Sequence, residues 1–248
     1  MEKNNNSINN YIPLDVSKYN ISIVKDEEET PYLKEQFFKL IIIGDIGTGK
    51  SSIINSLVKG KFKENYQATI GFDIFKYTRK VNDIIININI WDTCGLIDFS
   101  SCTTNLFKDA IIAIIVYEID KRESFENIQK WVNLFKLNSQ PDTIIFIVGN
   151  KSDLEDKREV KKEEGIEYTK LNNFNCFMET NAKDDTIVNE LFQQALARLY
   201  EYYKIYDQNE DDDDDENIKE NFRKKRDTII LQKHNHNNKK KINKNCSC

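Results

Sequence analysis

One stretch limits what this chain can fold into more than any other: "KLIIIGDIGTGKSSIINSLV", Lys39–Val58. The apolar run "FFKLIII" (37–43) reads as a buried strand that stops at Gly44. Gly44, Asp45, Ile46, Gly47, Thr48, Gly49, Lys50 and Ser51 then fit the pattern G-x-x-x-x-G-K-[S/T] in full. Beyond Ser52, the residues Ile53, Ile54, Leu57 and Val58 fall on one helical face, and Gly60 is a natural stop. Strand, glycine-rich loop and helix in that order make a cradle for phosphate. The glycines let the backbone turn its N–H groups inward, and the helix start adds partial positive charge. Lys50 is placed to reach the β- and γ-phosphates, and the Ser51 hydroxyl to reach Mg²⁺.

The rest of the chain repeats the alternation of strand and helix. "IIININIW" (84–91) alternates Ile with Asn, a strand with one wetter face. "AIIAIIVY" (110–117) and "TIIFIVG" (143–149) are continuous apolar runs, expected of strands covered on both faces. Phe125, Ile128, Val132 and Phe135 recur at helical spacing, as do Val188, Leu191, Phe192, Ala195 and Leu199. This pattern implies a mostly parallel α/β sheet. Residues 1–36 are polar and Asn-rich and read as a disordered extension; the folded domain is expected over 37–204 and a tail over 205–248. The five cysteines show neither a disulfide framework nor zinc spacing, no run reaches transmembrane length, and the N-terminus has no apolar signal core, so a cytosolic chain is expected.

Base choice is written further on. "NKSD" (Asn150–Asp153) follows a strand end directly. A carboxylate at Asp153 can accept from both the N1–H and the 2-amino group of guanine, donors that adenine lacks. Asn150 would brace the loop, and the stem of Lys151 would cover one face of the base. In "ETNAK" (Glu179–Lys183), the Ala182 N–H can meet the guanine carbonyl, with Asn181 and Lys183 beside it.

These motifs together resemble the small GTPases of the Ras superfamily, and most of all the Rab family. The intervals fit: Lys50 to Thr69 is 19 residues, Thr69 to Asp92 is 23, and Asp92 to Asn150 is 58. "TIGFDIF" (69–75) and "IVYEIDKRESF" (115–125) are similar to Rab segments. The resemblance implies a doubly wound α/β fold, with a mostly parallel six-stranded sheet and helices on both faces. It implies GTP/GDP and Mg²⁺ as ligands, with Ser51 and Thr69 on the metal, Asp92 holding a metal-bound water, and the Gly95 N–H on the γ-phosphate. Phe62 would stack edge-on against guanine. The usual partners would be an escort protein, a GDP-dissociation inhibitor, an exchange factor and effectors. Nucleic acid is not expected, because the basic tail lacks interleaved aromatics.

The chain departs from the family where the chemistry is decided. "DTCGLID" (92–98) stands in place of D-T-A-G-Q-E-R. Leu96 occupies the position of the Gln that orients the attacking water, and an alkyl group neither donates nor accepts a hydrogen bond. Ile46 stands where the family prefers a small residue, and would crowd the γ-phosphate. Asn181 replaces the usual Ser. Slow hydrolysis is expected at this catalytic site of Lys50, Thr69 and Leu96. The competing readings are a conventional cycling GTPase whose partner supplies the missing group, and a GTP-locked scaffold.

The tail is split in charge. Glu210–Glu216 carries seven acidic residues, and Asn217–Cys248 carries ten Lys/Arg against two acids. The chain ends "KNCSC", and Cys246 and Cys248 resemble the double geranylgeranylation signal of Rab proteins. Two lipids make membrane attachment stable where one is marginal. The expected location is the cytoplasmic face of a membrane, with a soluble cytosolic pool.

Overall fold

The computed structural model describes residues 13–24, 33–60, 69–96 and 105–212. The chain divides by packing into two units, Met1–Leu199 and Tyr200–Cys248. In the second, Lys204 Nζ lies over the rings of Tyr200 and Tyr203, at 5.4 and 5.7 Å from their centroids. The sheet and the site belong to the first.

Among the described residues, seven strands form one sheet: β1 (Ile21–Ser22), β2 (Lys34–Ile43), β3 (Phe72–Val81), β4 (Ile84–Thr93), β5 (Ala110–Glu118), β6 (Ile144–Asn150) and β7 (Cys176–Glu179). Their spatial order is β1-β3-β4-β2-β5-β6-β7. β4, β2, β5, β6 and β7 run parallel, β3 is antiparallel to β4, and β1 is antiparallel to β3. The helices are α1 (Lys50–Lys59), α2 (Arg122–Glu126), α3 (Ile128–Asn138), α4 (Lys162–Leu171) and α5 (Asp185–Asp212).

The apolar runs become central strands because both of their faces are covered. On one face Ile41, Ile43, Ala113, Ile115, Ile145 and Ile147 pack with Ile128, Trp131, Val132 and Phe135 of α3. The alternate residues turn to the other face, where α1 packs on β3 and β4, and Tyr77 meets Phe192 of α5 with ring centroids 5.7 Å apart. In β4 the Ile residues at 86, 88 and 90 are buried and the intervening Asn residues half-buried, as the alternation requires. Among the described residues no helix is long and apolar enough to cross a membrane.

The structure corrects two details. Among the described residues the sheet has seven strands rather than six. The addition comes from residues 13–24, inside the segment expected to lack structure. Ile21 and Ser22 pair with Val81 and Lys80, and Asn20 exchanges hydrogen bonds with Asn82. The Leu14 backbone exchanges two more with the side chain of Gln194, at 2.7 and 2.8 Å. A two-residue strand has no period to read, so polar composition concealed it. On α1, Val58 is exposed, and Ser56 takes the buried place by donating to Asp185 Oδ1 at 2.6 Å. A buried hydroxyl with a partner satisfies the interior as an apolar side chain does.

Helix α4 opens on an ionic cap that makes a pH prediction. Glu164 accepts from the Lys161 backbone N–H at 2.9 Å and pairs with Arg122 at 2.8 Å. The Arg122 hydrogen bond, followed by the backbone bond, holds the Glu164 carboxyl down at about 2. A carboxyl lowered in the folded state adds stability above its ordinary pKa, and that stability is lost as pH falls toward the lowered value. The natural protein's advantage in melting temperature over Glu164→Gln should therefore narrow progressively as pH falls from about 4.5 to about 2. Both partners are half-exposed, so the effect is screened and salt-sensitive. A pH-independent difference in melting temperature would refute it.

Candidate functional site

Five parallel strands bring five separate segments to one edge of the sheet. The carboxyl ends of β2, β4, β5, β6 and β7 lead into Gly44, Asp92–Gly95, Glu118, Asn150 and Thr180. β2 lies between β4 and β5, so its following loop opens at the point where the order of strands reverses, the place where such sheets hold ligands.

The loop after β2 is fixed by close approach. Gly44 has φ 139°, and a Cβ there would lie 2.1 Å from the Val116 carbonyl oxygen. Thr48 is fully buried and its Oγ1 donates to the Asp45 carbonyl at 2.9 Å. The Asp45 side chain is tied outward, accepting from Trp131 Nε1 at 2.8 Å and Asn127 Nδ2 at 2.7 Å. Lys50 is buried and its Nζ donates to the carbonyls of Gly44 and Asp45 at 2.9 and 2.7 Å. Burial pushes its pKa down to about 8, opposed by the carboxylates of Asp92, Asp45 and Glu118 and the Cys94 thiol. Phosphate oxygens would relieve that burial of charge.

The three residues expected at a metal come together. Ser51 Oγ donates to Asp92 Oδ2 at 2.5 Å, and Thr69 Oγ1 lies 2.8 Å from Ser51 Oγ and 3.3 Å from Asp92 Oδ2, its single proton serving one of the two. Asp92 is 2% exposed, and its Oδ1 is buried without a partner. Burial raises the Asp92 carboxyl, while Ser51, Lys50 and Thr69 pull it down. Among the described residues no three His, Cys, Asp or Glu side chains cluster as a metal cage. Two hydroxyls and one carboxylate are instead a hard oxygen set that leaves room for water and phosphate, which fits Mg²⁺.

Gly95 takes φ 80°, and a Cβ there would come within 2.6 Å of Lys50 Nζ. The chain thus passes directly over Lys50. Leu96 follows and is 61% exposed, and Ile46 is 47% exposed. Ser52, next to Ser51 in α1, is half-buried.

At the ends of β6 and β7, Asn150 Nδ2 donates to the Thr48 carbonyl at 2.8 Å, and Thr180 Oγ1 donates to Asn150 Oδ1 at 3.1 Å. Asn150 therefore joins the glycine-rich loop after β2 to the β7 end. Lys151 has φ 65° and its Nζ is paired with the Glu118 carboxylate. Asp153 Oδ2 pairs with Lys183 Nζ at 2.7 Å. Asn181 Oδ1 accepts from the Lys183 backbone N–H at 3.0 Å, so the residue in place of Ser closes its own turn. Ala182 is buried beside it.

Phe62, Ile97, Asp98, Cys246 and Cys248 lie outside the described residues. Two groups at the site escaped the sequence reading. Glu118 sits in "IVYEIDKRESF", where an acid before Ile119 was visible but its partner was not. The Asp45 tether needed Asn127 and Trp131, far along the chain.

Comparison with known proteins agrees with this arrangement. The Ras family's sequence profile matches residues 39–201. The Ras-related protein Rab5 of Nicotiana tabacum is 41% identical over 161 residues, 65% of this chain and 80% of that protein. The Ras-related protein Rab5A of Oryza sativa subsp. japonica is 39% identical over 163 residues, 66% and 80% of the two chains. The Ras-related protein Rab-11C of Dictyostelium discoideum is 37% identical over 174 residues, 70% and 75%. The chain belongs to the Ras family and, within it, to the Rab small GTPases, GTP-binding switches of vesicle traffic.

Proposed function

We propose that this protein is a lipid-anchored Rab switch that binds GTP or GDP with Mg²⁺ and cleaves GTP slowly, and so spends most of its cycle in the GTP form. The observation that carries the reading is Leu96. It follows Gly95, which lies against Lys50, and it presents an alkyl side chain to solvent at 61% exposure. Support for the binding half of the reading comes from the buried lysine, the Ser51–Thr69–Asp92 convergence and the Asn150 brace. Binding groups without a water-orienting group describe a site that holds GTP better than it cuts it. The test is single-turnover hydrolysis of preloaded GTP, followed by phosphate release.

The anchor is a separate part of the proposal. Geranylgeranyl groups on Cys246 and Cys248, with the basic residues upstream, would hold the tail to an anionic leaflet. The acidic run Glu210–Glu216 would keep the domain away from that surface. Changing both cysteines to Ser should move the protein from the membrane to the soluble fraction of fractionated cells. Retention on the membrane would overturn the anchor and leave the nucleotide reading untouched. A protein held in the GTP form would also be a poor client of the dissociation inhibitor, so its extraction from membranes should be slow.

A further inference from the structure

We infer that Glu118 is a positioning residue of the base site, which holds the Lys151 side chain in place and thereby sets how long the nucleotide stays. The inference rests on the reading of Asn150–Asp153 as the guanine loop.

Glu118 is the last residue of β5 and lies beside Asn150, the last of β6, in the parallel register. Its side chain is only 9% exposed. A Cβ at Gly47 would lie 3.8 Å from Glu118 Oε1, so the carboxylate stands against the phosphate loop. A buried negative charge is costly there, since it repels the phosphates the loop is shaped to hold. It persists with a cation as partner: the other oxygen, Oε2, accepts from Lys151 Nζ.

The local backbone is built around that pair. Lys151 adopts φ 65°, a conformation unfavourable for a residue with a Cβ. The Ile119 N–H donates to the Asn150 carbonyl at 3.1 Å, and the Glu118 N–H donates to Ser124 Oγ at 2.9 Å. The backbone at both ends of the ion pair is therefore pinned, by a main-chain bond at Asn150 and by the Ser124 hydroxyl at Glu118. With its ammonium fixed at Glu118, the methylene stem of Lys151 becomes a preset wall for one face of the base. A free lysine would have to be ordered each time nucleotide bound.

The test uses the full chain loaded with a fluorescent GDP analogue in Mg²⁺, with dissociation followed after a chase of unlabelled GDP. Glu118→Gln keeps the shape and removes the charge, and should speed dissociation about tenfold, the scale on which a charge-assisted bond exceeds a neutral one. Lys151→Met keeps the stem and removes the ammonium, and should speed it similarly. The double variant should be no faster than the faster single, because each change breaks the same contact. A natural rate in Glu118→Gln would overturn the inference. So would additive effects in the double variant, which would make Glu118 part of the frame rather than a holder of Lys151. A natural chain that retains no labelled GDP would overturn the guanine reading itself, and this inference with it.

Discussion

Asp153→Ala is expected to weaken GDP binding by about 10²- to 10⁴-fold, while the much weaker binding of ADP changes little. On the guanine reading the carboxylate would accept from two donors, and each charge-assisted bond is worth roughly 1.5–3 kcal/mol, so two lost bonds give that range. In the structure Asp153 is paired with Lys183 at 2.7 Å, and its side chain is 25% exposed. The pair aims the acid beside the loop, and the Lys183 head can swing outward when a base enters. Competition titrations of GDP and ADP against the fluorescent analogue measure both affinities. A loss of GDP affinity below about threefold, or an equal loss for ADP, would show that Asp153 does not read the base. Asn150→Ala should also weaken binding, but for both nucleotides. It unties Thr48 from Thr180, and the phosphate loop loosens before any base is read.

What was legible in the sequence and what was not divide along a physical line. Gly44, Gly47 and Gly49 were legible because a loop that turns its N–H groups onto phosphate needs residues without Cβ at fixed places. The central strands were legible because burial on both faces leaves an unbroken apolar run. The convergence of Ser51, Thr69 and Asp92 was legible through family spacing, since Ser51 and Asp92 lie 41 residues apart and no local pattern joins them. The Asp45–Trp131 tether, 86 residues long, and the Glu118–Lys151 pair had no such signal. Trp131 was hidden by its own helical spacing, which marks it as core, and it is core on one side while its indole N–H reaches the loop. β1 was hidden for the opposite reason. Its partners are backbone groups, and main-chain pairing leaves little trace in a polar segment. The same blindness applies to Gln194, whose buried amide reads as a surface residue on a helix until the Leu14 backbone is placed against it.

Leu96→Gln is expected to raise single-turnover GTP hydrolysis by about 10- to 100-fold, on the scale that one misplaced positioning group costs. Phosphoryl transfer of this class is mostly positioning and charge stabilisation, and the protein's share of the positioning falls to whatever side chain follows Gly95. Leu96 is exposed enough to be replaced without disturbing the core, so the variant should bind GTP as the natural chain does. The gain should appear in the chemical step and not in affinity. Slow natural turnover rescued by Gln identifies Leu96 as the reason the site holds GTP without cutting it. Slow turnover in both chains moves the cause to Ile46, and Ile46→Ser combined with Leu96→Gln should then restore the rate that neither change restores alone. Ordinary turnover in both would overturn the GTP-biased reading. The same pair of chains also separates intrinsic from assisted hydrolysis. An activating partner adds about 10⁵-fold to GTPases of this class, often by way of the residue at this position. A partner that accelerates Leu96→Gln but not the natural protein would show that Leu96 blocks both routes. Equal acceleration of both would mean that the partner brings its own water-orienting group to a site left open for it.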